Sequence, residues 1–259
     1  MTDYLLYPGL MIFVFGSCIG SFLNVCIYRI PENKSIVFPG SFCPSCKNAI
    51  PLYLNIPILS YIFLMGKCKF CKFKIPIRYP LIESLAGIFA LLLFLKFGFT
   101  PALFYWFIFI SALITISFID FDHQIIPDVI SLPGIIIFAS SFYFLPEMTI
   151  KKTILGILVG GGSLYSVALI YYFLRKHEGM GGGDIKLLAM IGAATGIKGV
   201  IFTIFTGSLL GTFFGILIML YTKVADTKFK IPFGPFLSLG AILYIFYGQQ
   251  LIKWYFGNF

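Results

Sequence analysis

Long apolar runs separated by short polar breaks occupy most of this chain, and they limit the fold before any motif is read. Residues 5–28 form the first run, long enough to cross ~30 Å of hydrocarbon as a helix. Beyond residue 80 the alternation continues, with spans expected near 81–97, 102–120, 126–145, 153–174, 185–197, 199–222 and 235–252. Together they make about eight, the 185–197 run being short enough to be re-entrant. The expected fold class is therefore all-α, a polytopic membrane helix bundle. Of 259 residues only 11% are charged and 59% are hydrophobic, whereas soluble domains carry roughly 25% charged residues. That excludes a water-soluble globule, and no separate soluble domain of ~100 residues fits.

A net charge of +9 would suggest nucleic acid in a soluble protein. Here the placement of Lys and Arg reads as a topology signal, and no nucleic-acid partner is expected. The loops 29–78, 175–186 and 223–230 hold 14 of the 19 basic residues. That asymmetry places these loops in the cytoplasm and both termini outside, with the lipid bilayer as the chain's environment. The chain starts Met1-Thr2-Asp3 and has no Lys or Arg before Arg29, so the first helix reads as retained rather than as a cleaved signal. Gly16, Ser17, Gly20 and Ser21, spaced by three to four, suit close helix packing. Cys18 and Cys26 in the same helix read as buried small hydrophobes.

Residues 29–80 differ, with prolines, lysines and two cysteine pairs but no run long enough to span. Cys43-Pro44-Ser45-Cys46 and Cys68-Lys69-Phe70-Cys71 are C-x2-C knuckles, and each can fill two corners of a four-thiolate zinc site. Lys47, Lys67, Lys69, Lys72 and Lys74 around them favour thiolate over thiol. Such a zinc is structural, since all four positions are taken. Two disulfides or four idle thiols are the other readings, although cytoplasmic thiols stay reduced.

Two acidic clusters lie at segment ends. One is Gly179-Met180-Gly181-Gly182-Gly183-Asp184, where glycines let other groups approach closely. The other is Asp120-Phe121-Asp122-His123-Gln124-Ile125-Ile126-Pro127-Asp128, and the charge-based topology puts both on the cytoplasmic face. Two carboxylates sharing a site can divide acid and base roles, one drawing a proton from water while the other polarises a carbonyl. Peptide hydrolysis needs that pairing and no metal. The structural alternatives make Asp184 a helix N-cap for the segment from Ile185 and the Asp120 block ordinary interfacial charges. His123 reads as an interfacial polar residue and His177 as a solvated loop residue.

The ordered motifs resemble those of the bifunctional prepilin peptidases, or type IV leader peptidases, intramembrane aspartic proteases of the G-x-G-D type. The resemblance rests on Gly20 to Val25 with Arg29 and Pro31, both cysteine knuckles, Arg78 to Glu83, the Asp120 block, Gly179 to Lys186, and Ile231 to Phe236. It implies Asp120 and Asp184 as the catalytic pair, with Asp122 the fallback for the first. It further implies cleavage of the basic leader of type IV prepilins and pseudopilins at the cytoplasmic side of a bacterial inner membrane. Methylation of the new N-terminus from S-adenosylmethionine then follows, a step associated with the cysteine loop and, here, with Gly66 and Glu83. Those two also read as a turn and as a partner of Arg78. Three functional regions result: a first transmembrane helix over 1–30, a zinc-binding loop over 31–80 linked to methylation, and a peptidase region over 81–259. A Mg-dependent phosphotransferase using Asp120, Asp122 and Asp128 competes with this reading, but its block holds no Lys or Arg for phosphate. A cation-coupled transporter also competes, without visible internal symmetry.

Overall fold

The computed structural model describes residues 3–176, 181–222, 232–248, 250, 251 and 254. His177, Gly179, Met180, Ile231 and the basic loop 223–230 lie outside them. Helices dominate the described residues, with no strand among them beyond two isolated bridges. They form two compact units, residues 1–115 and 116–259, and the chain passes from one to the other inside a helix.

In the first unit α1 (Asp3–Arg29) packs on α3 (Arg78–Phe97). The small residues expected to allow this do so: a side chain at Gly20 would sit 2.7 Å from the Glu83 backbone, and one at Gly16 2.8 Å from Ala86 O. Cys26 is buried as expected, but Cys18 is exposed, because it lies on the face of α1 turned away from α3. Asn24 donates to Tyr79 O at 3.1 Å and so ties α1 to the start of α3. Buried Arg29 donates to Ser35 O at 2.9 Å and Pro39 O at 2.7 Å, closing the chain back on itself as it leaves α1. Between the helices the loop carries only one 3₁₀ turn and the short α2 (Leu59–Phe63). The N-terminal part of α4 (Pro101–His123) completes the unit.

The second unit is arranged around α8 (Gly182–Thr222), which packs on α5 (Asp128–Phe138), α7 (Ile150–Arg175) and α9 (Gly234–Leu243). Leu187, Leu188, Met190 and Ile191 of α8 are fully buried, whereas Phe205, Leu209, Phe213 and Leu220 are exposed apolar surface suited to lipid. α8 covers the two expected runs 185–197 and 199–222. It breaks close to their junction, at Gly196 (φ 70, ψ −172), a conformation that is essentially glycine's own. Ser141 of the four-residue α6 (Ser141–Phe144) bonds the Thr153 hydroxyl at 2.9 Å and Ala193 O at 3.0 Å, a buried link between α7 and α8.

Among the described residues each expected span falls mainly on helix, yet only five helices are long and apolar enough to cross a membrane, with α8 counted once. The 126–145 run is shortened because it starts only after Pro127 and stops at Phe138, with Pro133 inside it. The 235–252 run is α9 followed by a π turn at Tyr244–Gly248.

Candidate active site

The end of α4 is set by its sequence. Gln124 turns left-handed (φ 54), and Pro127, which has no N–H to donate, holds the preceding residue extended. Asp120 therefore sits one turn from the end of α4, where it is 5% exposed. Its Oδ2 accepts the backbone N–H of Gly234 at 3.0 Å, at the first turn of α9. Helix N-termini present free N–H groups and partial positive charge, and both favour a carboxylate. A side chain at Gly234 would stand 2.7 Å from that same oxygen, so this glycine is what lets α9 approach. Ile126, in the link after α4, lies beneath both Gly234 and Gly183, and a side chain at Gly183 would meet it at 2.8 Å. Gly183 thereby seats the start of α8 on the same link. Asp184 lies half-buried in the first turn of α8, within electrostatic reach of the Asp120 carboxylate.

The structure thus brings together Asp120 and Asp184, the two aspartates singled out in the sequence, and adds the Gly234 N–H. Asp184 is not the N-cap that spacing alone allowed, because the helix starts two residues earlier, at Gly182. Asp122, Asp128 and His123 are exposed. Asp128 meets Lys186 Nζ at 2.7 and 2.8 Å, which pins the start of α5 to α8. Asp120, Asp122 and Asp128 form no ligand group for a cation: among the described residues the cysteine quartet is the one cluster of metal-binding side chains.

That quartet, Cys43, Cys46, Cys68 and Cys71, has all its sulfurs within 4.8 Å of one another. The knuckles repeat one backbone design. In each, the lysine after the second cysteine is left-handed (Lys47 φ 60, Lys72 φ 60) and donates to the first cysteine's carbonyl, at 2.9 and 3.0 Å. The first cysteine's own N–H donates to a residue beyond the turn, Asn48 O at 3.0 Å or Phe73 O at 2.8 Å. Backbone N–H groups of Cys71 and Phe70 pull the Cys68 thiol down to about 7. Cys46 receives the Asn48 N–H, but burial and the three neighbouring thiols outweigh it and push Cys46 up to about 11. The Cys43 and Cys71 sulfurs are 3.7 Å apart. That is too far for the ~2.05 Å disulfide bond and close to the ~3.8 Å edge of a tetrahedron with ~2.3 Å metal–sulfur bonds. The cluster can hold a metal ion.

Next to the quartet a cavity of about 250 Å³ lies between α1, the loop and α3. Glu83, 8% exposed, lines it and accepts the Ile58 N–H at 2.7 Å and a bond from the Ser21 side chain. Gly66 has φ 66 and supports the cavity wall from behind, since a side chain there would stand 2.9 Å from the Tyr61 hydroxyl. The turn expected as its structural role is present.

Comparison with known sequences gives the family. Residues 14–97 match the Bacterial Peptidase A24 N-terminal domain and residues 107–216 the Type IV leader peptidase family. A Pseudomonas aeruginosa protein named prepilin leader peptidase/N-methyltransferase is 34% identical over 93% of this chain and 90% of its own length. The chain belongs to the type IV leader peptidase family. Relatives of the same name from Neisseria gonorrhoeae and Aeromonas hydrophila are 36% and 32% identical, over 87% and 96% of this leader peptidase and 86% and 94% of their own lengths. No solved structure matches it. Sequence reasoning gave Gly234 no role, although a glycine inside Pro232-Phe233-Gly234-Pro235 at a helix start was a readable sign of close backbone approach.

Proposed function

We propose that this leader peptidase cuts the leader from type IV prepilins and pseudopilins at the cytoplasmic face of a bacterial inner membrane, and then N-methylates the exposed terminus. The observation carrying the cleavage step is the Asp120 carboxylate held by the Gly234 N–H with Asp184 within electrostatic reach of it. One carboxylate takes a proton from water, which attacks the scissile carbonyl, while the other, protonated, donates to the carbonyl oxygen. The roles then reverse as the leaving amine is protonated. Gly234 holds Asp120 in one orientation throughout.

The three-part division (1–30, 31–80 and 81–259) belongs to this reading and is one of function, whereas the compact units divide at Thr115. Cys43, Cys46, Cys68 and Cys71 would hold one structural zinc, which cross-links a loop with little core of its own. S-adenosylmethionine supplies the methyl group in this reading, with Glu83 and Gly66 on the methyl-transfer side. The cytoplasmic placement rests on the charge-based topology, which puts the basic loops and both aspartates on the same side of the bilayer. The direct test is to incubate the purified chain in lipid with a prepilin and S-adenosylmethionine and to weigh the products. A mature peptide 14 Da heavier than the cleaved chain is expected; an uncut prepilin contradicts the assignment.

A further inference from the structure

The cavity beside the cysteine quartet has the character of a cation site. Tyr28, Tyr61, Phe70 and Tyr79 line it together with the buried carboxylate of Glu83, while the two cations of its lining, Arg29 and Lys69, are engaged by Ser35 O and Pro39 O and by the Tyr53 hydroxyl. Aromatic faces attract cations, and a buried carboxylate is costly unless donors or positive charge meet it. The chain holds this carboxylate in place at a conformational cost. Ile58, β-branched, adopts φ 62, ψ −53 and so aims its N–H at Glu83 Oε2. For a β-branched residue that conformation is an outlier, and outliers of this kind gather at ligand sites. The Ile58 N–H and the Ser21 bond fill two of the roughly four acceptor positions of a carboxylate. The reaction read above brings two cations together, a methylsulfonium and an N-terminal ammonium.

Resting on that methyl-transfer reading, we propose that this cavity is the methyl-transfer chamber: its aromatic wall holds the methylsulfonium donor, and Glu83 takes the proton that the substrate's ammonium gives up. The ammonium passes one proton to Glu83. The freed nitrogen lone pair forms the N–CH3 bond as the CH3–S bond breaks, and that bond's electron pair stays on sulfur as a neutral thioether. The product is a methylated ammonium, and Glu83 releases its proton to water. Asn24, bonded to Gly20 O and Tyr79 O, fixes the α1–α3 wall around the site. Gly66 acts at one remove, by leaving room for Tyr61.

The test uses the full chain in lipid, S-adenosylmethionine, and a mature peptide that already starts with phenylalanine. Donor binding is measured by equilibrium dialysis, methylation by mass, and prepilin cleavage in the same preparation reports on folding. Glu83→Gln, which keeps an acceptor for Ile58, is expected to lower kcat for methylation roughly 100-fold with an unchanged KM for the donor. Tyr61→Leu is expected to weaken donor binding roughly tenfold, and Tyr61→Phe to restore it. The proposal is overturned if Glu83→Gln methylates at the wild-type kcat, or if Tyr61→Leu binds the donor as tightly as the wild type. Should Glu83→Gln also fail to cleave, the Tyr61 pair decides through donor affinity alone. A wild type that neither binds nor uses the donor removes the methyl-transfer reading itself.

Discussion

Among the described residues Asp120 is held by a single backbone N–H, and the residue that supplies it has no side chain for a reason measured in tenths of an ångström. A Cβ at position 234 would stand 2.7 Å from Asp120 Oδ2 and 3.3 Å from Ile126. Gly234→Ala must push either α9 or the carboxylate aside. Cleavage is expected to fall at least tenfold, for loss of one oriented hydrogen bond of about 1.5–3 kcal/mol to a charged group. The chain should still insert and bind zinc, so metal content measured beside cleavage separates this loss from misfolding. Asp120 and Asp184 were legible in the sequence because acidic residues at the ends of apolar runs are rare and costly. Gly234 was readable only as a glycine at a helix start; what its missing side chain accommodates, Asp120, lies more than a hundred residues away in the sequence. Glu83 was legible as a candidate, but its partners Ile58 and Ser21 come from two other elements.

Two elements carry most of what the helical pattern could not state. One is the cysteine loop, which apolar periodicity passes over and the knuckle spacing reveals. Metal binding there requires thiolates. Since Cys46 sits at about 11, every step of acidification from there down costs affinity, and below about 7 protonation of Cys68 steepens the loss. Zinc should therefore bind with roughly one equivalent per chain near neutral pH and be lost as pH falls. Cys43→Ser should lower the retained metal, and residues 29–77 should then be cut by protease faster than the helices. Metal analysis across a pH series checks the sign; retention that improves on acidification would contradict it. The other element is α8. Its two halves were readable as separate runs, and they meet close to Gly196, whose positive φ breaks the helix there. Gly196→Ala places a β-carbon in a region that costs of order 1–3 kcal/mol. Thermal unfolding in detergent should move down accordingly, while Gly162→Ala, with nothing near its side-chain position, should not.

For the whole molecule, membrane topology ties the elements to function. Apolar runs were enough to read an all-helical bundle, because lipid leaves few alternatives for the backbone. They gave the number of helical segments better than their lengths, which depend on prolines and local turns such as Pro127 and Tyr244–Gly248. The topology predicts that a phosphatase reporter active only outside the cytoplasm works when joined after residue 99 and fails when joined after residue 176. The reverse pattern would put the aspartates on the wrong side for a cytoplasmic substrate. The central claim is narrower: Asp120 and Asp184 act as one acid–base pair. The decisive measurement is single-turnover cleavage of a prepilin by the enzyme in lipid, comparing Asp120→Asn, Asp184→Asn and Asp122→Asn. The pair predicts a loss of at least about 100-fold for each of the first two, no further loss in their double variant, and a rate within about threefold of wild type for exposed Asp122. Cleavage that survives Asp120→Asn or Asp184→Asn, or fails with Asp122→Asn alone, would contradict it.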